Sequence, residues 1–336
     1  MLSSVTGAMA EATLTGSVQA GSNQTSYTTS GSSAVNTLTF EDSNGNTVFN
    51  IGDTEDLGGG LMFKGNIAVE TGLFSTAQQA NGVNETYASL TGGFGGIKVG
   101  SLQTPQFQAI AAGDAGGGLL ISNLVYTNNT HQGSTTGANV LLQTKSIQYT
   151  TPAFIDGLSL KYQFGAGAAA DNIGDANHFA GDYKTGAFAA GIAYSTYKQA
   201  ASATDKATTY YATYDFGAAK LQAMWGKAET SGASDVNTTS IGFQVPMGAA
   251  TFMYNHSSSD GRVYNLGATS TATTIASAVS AVDQAGDFIG VSYALSKRTT
   301  AYAAYYKETG NDTQSSAGIL SGSSWNTTRF IVIHSF

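Results

Sequence analysis

The chain has 336 residues, 42 of them Gly and only 3 Pro, and charged residues make up 11 %, well under the roughly 25 % of an ordinary soluble domain. Its net charge of −8 excludes the basic stripe that nucleic-acid binding needs, and the absence of Cys excludes thiolate metal sites and Cys-x-x-Cys chemistry. Hydrophobic residues reach 41 %, yet no run approaches the ~18 apolar residues of a membrane-spanning helix, so the apolar content is dispersed.

Two classes fit that dispersal: a secreted Gly/Ser/Thr-rich all-β protein such as a solenoid or adhesin, or a transmembrane barrel whose strands alternate between lipid and a wet lumen. In chain order, residues 1–10 close on Ala8-Met9-Ala10, which reads as a signal-peptide remnant or N-terminal extension ahead of a body over 11–336. Period-two alternation then begins, with Ala12, Leu14, Gly16, Val18 and Ala20 on one face and Thr13, Thr15, Ser17 and Gln19 on the other. After a polar stretch over 21–36, strands are expected at 46–52 and 61–73. The second turns Leu61, Phe63, Ile67, Val69 and Leu73 one way and Lys64, Asn66 and Glu70 the other.

Strands at 84–91 and 96–102 flank the short turn Gly92-Gly93-Phe94-Gly95, and a long polar loop follows over 103–144. Strands at 145–151, 157–165, 177–183 and 187–197 come next; Leu158, Leu160, Tyr162 and Phe164 alternate with Ser159, Lys161 and Gln163. Beyond a polar stretch at 199–206, strands at 207–216 and 218–228 meet at Asp215-Phe216-Gly217, and strands at 237–246 and 249–257 meet at Pro246-Met247-Gly248. Here Leu221, Ala223 and Trp225 alternate with Lys220, Gln222 and Met224, and Ile241, Phe243 and Val245 with Ser240, Gly242 and Gln244. Polar loops at 258–284 and 309–324 bracket strands at 285–296 and 299–308, and a closing strand covers 325–336.

Segments of roughly 8–12 residues, with short turns alternating with long polar loops, are the layout of a transmembrane antiparallel barrel of about sixteen strands. The irregular spacing shows no fixed repeat, which counts against a solenoid. Pro105, Pro152 and Pro246 fall at strand ends, where a missing N–H costs no ladder bond. Tyrosines near strand ends, Tyr194, Tyr197, Tyr210, Tyr214, Tyr302, Tyr305 and Tyr306, are candidates for an interfacial aromatic girdle, although strand propensity also enriches them.

Three segments resemble the Gram-negative general porin family, in particular its β-proteobacterial trimeric branch. They are Thr54-Glu55-Asp56-Leu57-Gly58-Gly59-Gly60-Leu61 running on to Glu70, Gly72 and Phe74; Gly92 to Pro105; and Tyr293-Ala294-Leu295-Ser296-Lys297-Arg298-Thr299 followed by His334-Ser335-Phe336. The resemblance implies a sixteen-stranded outer-membrane barrel, assembled as a homotrimer, that passes ions and small hydrophilic solutes by passive diffusion. It also implies contact with outer-membrane lipid and lipopolysaccharide, and a constriction loop at about 104–144 folded into the lumen. Phe336 would be the terminal aromatic shown to the outer-membrane assembly machinery. The family's constriction sets loop acids against wall arginines, and here the chain departs from it. There are three Arg, Arg262, Arg298 and Arg329, and the wall positions have Val48, Asn84 and Ser101.

By strand parity, Lys64, Lys98, Lys161, Lys220, Arg329 and Glu70 are the candidate pore-lining charges, and Asp114 is the candidate constriction acid. With the paired charges depleted, only weak charge selectivity is expected; the other reading is a structural or adhesive barrel with a largely closed pore. No enzyme is expected: Gly113-Asp114-Ala115-Gly116-Gly117 has Ala where a nucleophile elbow needs Ser, and the Gly-rich runs lack the Lys of a phosphate loop. Nor is a cofactor expected; Glu41, Asp42, Asp53 and Asp56 are the oxygen donors for a calcium ion if one binds, against the commoner state of solvated loop acids.

Overall fold

The computed structural model describes residues 12–28, 35–41, 47–71, 73–74, 84–116, 142–167, 173–199, 204–229, 235–260, 284–310 and 323–336. The strands are β1 (Thr13–Thr28), β2 (Val35–Glu41), β3 (Thr47–Gly58), β4 (Leu61–Thr71), β5 (Thr86–Gly92), β6 (Gly95–Gln103), β7 (Leu142–Thr150), β8 (Leu158–Gly165) and β9 (Ile173–Thr185). They continue as β10 (Phe188–Gln199), β11 (Thr204–Asp215), β12 (Lys220–Glu229), β13 (Val236–Met247), β14 (Ala250–Ser259), β15 (Gln284–Ala294), β16 (Thr299–Gly310) and β17 (Ser323–Ser335). One helix, α1 (Pro105–Gly113), follows β6.

Neighbouring strands pair antiparallel throughout, and β17 returns to β1 in a register running from Ser17↔Ser335 to Thr28↔Ser324. Both β2 and β3 pair with β1, the first from Gly21↔Glu41 to Tyr27↔Val35 and the second from Thr13↔Gly52 to Ser17↔Val48. They therefore act as one strand, and the barrel is closed and sixteen-stranded. Closure matters because hydrocarbon cannot satisfy an open edge of N–H and C=O groups.

The seam is tight. Gly16 and Phe336 exchange reciprocal N–H to O bonds of 3.1 Å, and the Phe336 ring packs on Phe49 at 5.6 Å between centroids. A Cβ on Gly16 would lie 2.1 Å from the Val48 carbonyl oxygen and 2.9 Å from the Phe336 ring, so only glycine fits beneath the two rings.

The period-two pattern sorts the side chains into an apolar outer face and a polar inner one. Leu14, Ile51, Ile67, Val99, Ile147, Phe179, Ile192, Ile241, Ile289 and Val332 are exposed on the outside, whereas Gln19, Gln148, Gln163, Thr209, Gln222, Ser240 and Asn255 are buried on the inside. In water such an exterior would be an aggregation surface; facing lipid, it is the element that holds the barrel in place.

Several expectations need correction. The stretch at 21–36 is not all loop: β1 continues to Thr28 and β2 begins at Val35. β3 runs on to Gly58, well past 52, because Asp53, Thr54 and Glu55 keep their pairing with β4. Pro105 ends no strand but opens α1, where its missing N–H is free of any helical bond. Of the tyrosines, Tyr210, Tyr214 and Tyr305 are exposed outward, but Tyr197 and Tyr306 are buried on the lumenal face, which Tyr302 shares by parity. Residues 1–10 and most of the loops at 117–141, 261–283 and 311–322 lie outside the described residues.

Candidate functional site

The lumen is shaped by the segment that leaves β6. Thr104 caps α1, its hydroxyl accepting from Phe107 N at 3.2 Å, and Pro105 supplies a φ already suited to the first helical position. Instead of continuing outward, α1 lies inside the barrel against β9, β10, β11 and β12. Ile110 is fully buried against Met224, and Gly113 lets the helix end approach so closely that a Cβ would sit 2.7 Å from the Met224 side chain.

Glutamines fasten this helix. Gln106 donates to Thr209 Oγ1 at 2.5 Å, and Gln108 accepts from Lys161 Nζ at 2.9 Å. From the wall, Gln222 Nε2 donates to the carbonyl oxygens of Ala112 (3.1 Å) and Asp114 (2.9 Å), and Gln244 Nε2 to that of Ala115 (2.6 Å). The last carbonyls of a helix have no partner within it, so wall amides satisfy what the fold would otherwise leave bare. Sequence reasoning missed these contacts, because partners 53 to 129 residues apart leave no local pattern.

Among the charged candidates, Lys161 faces inward from β8 and meets both Gln108 and Asp182, its ammonium 3.1 Å from Asp182 Oδ2. Asp182 also accepts from Tyr211 Oη at 2.8 Å. Lys98, inward on β6, is ion-paired with Glu85 and lies 3.9 Å from the centroid of the Tyr87 ring. Glu85 in turn accepts from Gln103 N at 2.9 Å, just before the chain turns into α1. Glu70 is buried and accepts from Asn84 N and Nδ2 at 3.0 and 2.7 Å, so it holds the start of the β5 approach.

Asp114 is fully buried as the C-cap residue of α1. Lys64 is exposed on β4, opposite Thr54 and Ser89; Lys220 lies at the start of β12, opposite Asp215 and Gln244. Arg329 is half-buried on β17, opposite Asn23 and Ala304. Two of the lumenal lysines, Lys98 and Lys161, are therefore each matched to a carboxylate. The fields of such pairs largely cancel beyond a few ångströms, and salt mutes the remainder over about 8 Å.

The acids considered for calcium do not converge: Asp53 and Asp56 sit at positions of opposite parity on β3, and Asp56 accepts from Gly58 N at 2.9 Å. Asp42 and the Glu41 side chain lie outside the described residues, among which no cluster of metal-ligating side chains occurs.

The comparisons with known proteins agree with this geometry. A family model for Gram-negative porins matches residues 1–314. No curated protein matches the chain. Among solved structures, an anion-selective porin from Comamonas acidovorans superposes with a TM-score of 0.76 at 20 % identity, over 97 % of this chain and 100 % of the other. OmpF of Salmonella typhi, in complex with daunomycin, gives 0.65 at 15 % identity, over 97 % and 98 %. A trimer form of OmpT, an outer-membrane protein of Vibrio cholerae, gives 0.61 at 12 % identity, over 97 % and 99 %.

Proposed function

The chain belongs to the Gram-negative porin family, and we propose that, as an outer-membrane diffusion channel, it passes ions and small hydrophilic solutes with little preference for either sign of charge. Its family and fold are those of a channel rather than an enzyme. The observation that carries the weak selectivity is the pairing of Lys98 with Glu85 and of Lys161 with Asp182 around the lumenal helix. A strong transverse field needs unlike charges held apart across the pore, and here they are held together on one wall. The constriction is accordingly a steric filter lined by amides and hydroxyls. Planar-bilayer recording tests the channel directly: stable open steps are expected, and a barrel that inserts without conducting would contradict it.

The reading extends to a homotrimer. Leu38, Phe40, Leu73 and Phe74 are 62, 66, 51 and 53 % exposed, and the Phe40 and Phe74 rings are 6.2 Å apart. Phe74 lies roughly fifteen residues beyond the short turn at Gly59, whereas on β14 and β16 the outer face turns polar at His256 and Lys307, roughly ten residues or fewer from their turns. An apolar patch that rises above the level where the remaining outer wall meets water favours another copy of the chain as its cover.

A further inference from the structure

On β14–β17 the lumenal wall turns from amide and hydroxyl to apolar. Met253, Phe288, Tyr306 and Ile331 form one buried cluster there, and Tyr302 and Ile333 pack against it, partly open. The register sets them edge to edge: Tyr302 pairs with Ile331, Thr300 with Ile333, Phe288 with Tyr306, and Met253 with Gly290. Two glycines let the side chains lie along the wall instead of standing into the lumen. A Cβ on Gly290 would meet the Phe288 ring at 2.6 Å and Met253 Cε at 3.4 Å, and one on Gly286 the Tyr306 hydroxyl at 2.9 Å. A contiguous apolar surface beside water marks a contact for something apolar, and lumenal residues are those that tune what a barrel passes.

Tyr302 stands four residues along β16 from Arg298 in its short turn. Gln222, which holds α1, stands five residues along β12 from Gly217, so the patch lies at the height of the lumenal helix. Because α1 packs on β9–β12, the patch occupies a separate arc of the wall. Its edge is charged. Arg329 shares the parity of Ile331, two residues and ~7 Å away along β17. Among the described residues it is the one cation on the lumenal face of β13–β17. Glu308 on the same arc is buried, accepts from Tyr306 Oη at 3.2 Å and pairs with Trp325, farther from Tyr302 than Arg329 is.

We propose that Tyr302, Ile333 and Arg329 form a contact site for permeating small aromatic carboxylates. The ring of the solute lies on Tyr302 and Ile333, with Ile331 behind them. Its carboxylate turns to the Arg329 guanidinium, whose planar fork of N–H donors matches two carboxylate oxygens. Each contact is weak, which suits a channel: the site must draw the solute in without holding it. Inorganic ions make no ring contact, so the site is consistent with weak selectivity between potassium and chloride.

This inference rests on the reading of the chain as a diffusion channel, so open steps are first recorded in KCl alone across a planar bilayer. Sodium benzoate is then added at millimolar concentration, with sodium acetate at the same concentration in a parallel record. Benzoate is expected to lower the open-channel current and acetate to leave it unchanged. In Tyr302→Ser the benzoate concentration needed for half of the full effect should rise about fivefold, the loss of one aromatic contact. Arg329→Gln should raise it by at least as much, whereas Tyr302→Phe, which keeps the ring, should stay close to the unaltered protein. The absence of open steps in KCl would sink the channel reading and this site with it. Open steps that benzoate lowers no more than acetate does, or that stay equally sensitive in Tyr302→Ser, would overturn the contact site alone.

Discussion

Lys161 has two partners in the lumen, and their loss should be separable. Its ammonium offsets Asp182 and also holds Gln108 of α1. In Lys161→Ala the Asp182 carboxylate keeps only the Tyr211 hydroxyl, so a net negative charge is uncovered on the pore wall. A unit charge a few ångströms from the permeation path is worth on the order of 1 kcal/mol in water, enough for about a threefold change in the cation-to-anion permeability ratio. The ratio should move toward cations, and reversal potentials of the variant check it. Lys98→Ala should do the same by uncovering Glu85. The inward direction of both lysines was legible from strand parity. Their carboxylate partners were not, because Glu85 lies just ahead of β5 and Asp182 on β9, and cross-strand register cannot be read from one strand's alternation.

At the scale of elements, the constriction depends on how α1 is fastened and the barrel on how its ends meet. Gln222→Ala removes both bonds to the helix end and leaves the carbonyls of Ala112 and Asp114 without that donor, at a cost of about 1–3 kcal/mol concentrated on one element. Single-channel traces of Gln222→Ala combined with Gln244→Ala should show larger and noisier steps, while the barrel itself remains intact. Gly16→Val should act on the other contact. Its Cβ would enter the space of the Val48 carbonyl and the Phe336 ring, so the heat-resistant, fast-migrating form of the folded barrel should be sharply reduced on gels. Most strands were evident from alternation and turn residues because lipid and lumen impose a strict two-residue period. The helix was missed although Thr104-Pro105 is a cap followed by a proline at the first helical position; in a stretch without apolar periodicity that pair reads equally well as a strand end.

The whole molecule combines a lipid-facing exterior, an upper apolar patch beside the seam and a lumen in which Lys98 and Lys161 are each held against a carboxylate. If the patch is a subunit contact, Leu38→Asp with Phe40→Asp should convert trimers to monomers by light scattering in detergent, with the monomers still folded. The closing strand identified the architecture, since Phe336 pairs with Gly16 as a sealed barrel requires. It also marks where this porin departs from the arginine-rich pattern, with buried Ile331 on its lumenal face. The central claim is that the pore selects by size and only weakly by charge. The most direct test is the reversal potential in a tenfold KCl gradient across a planar bilayer. The expected value lies within about 15 mV of zero, against the ~59 mV of an ideally selective pore. A potential approaching that limit in either direction would contradict the account.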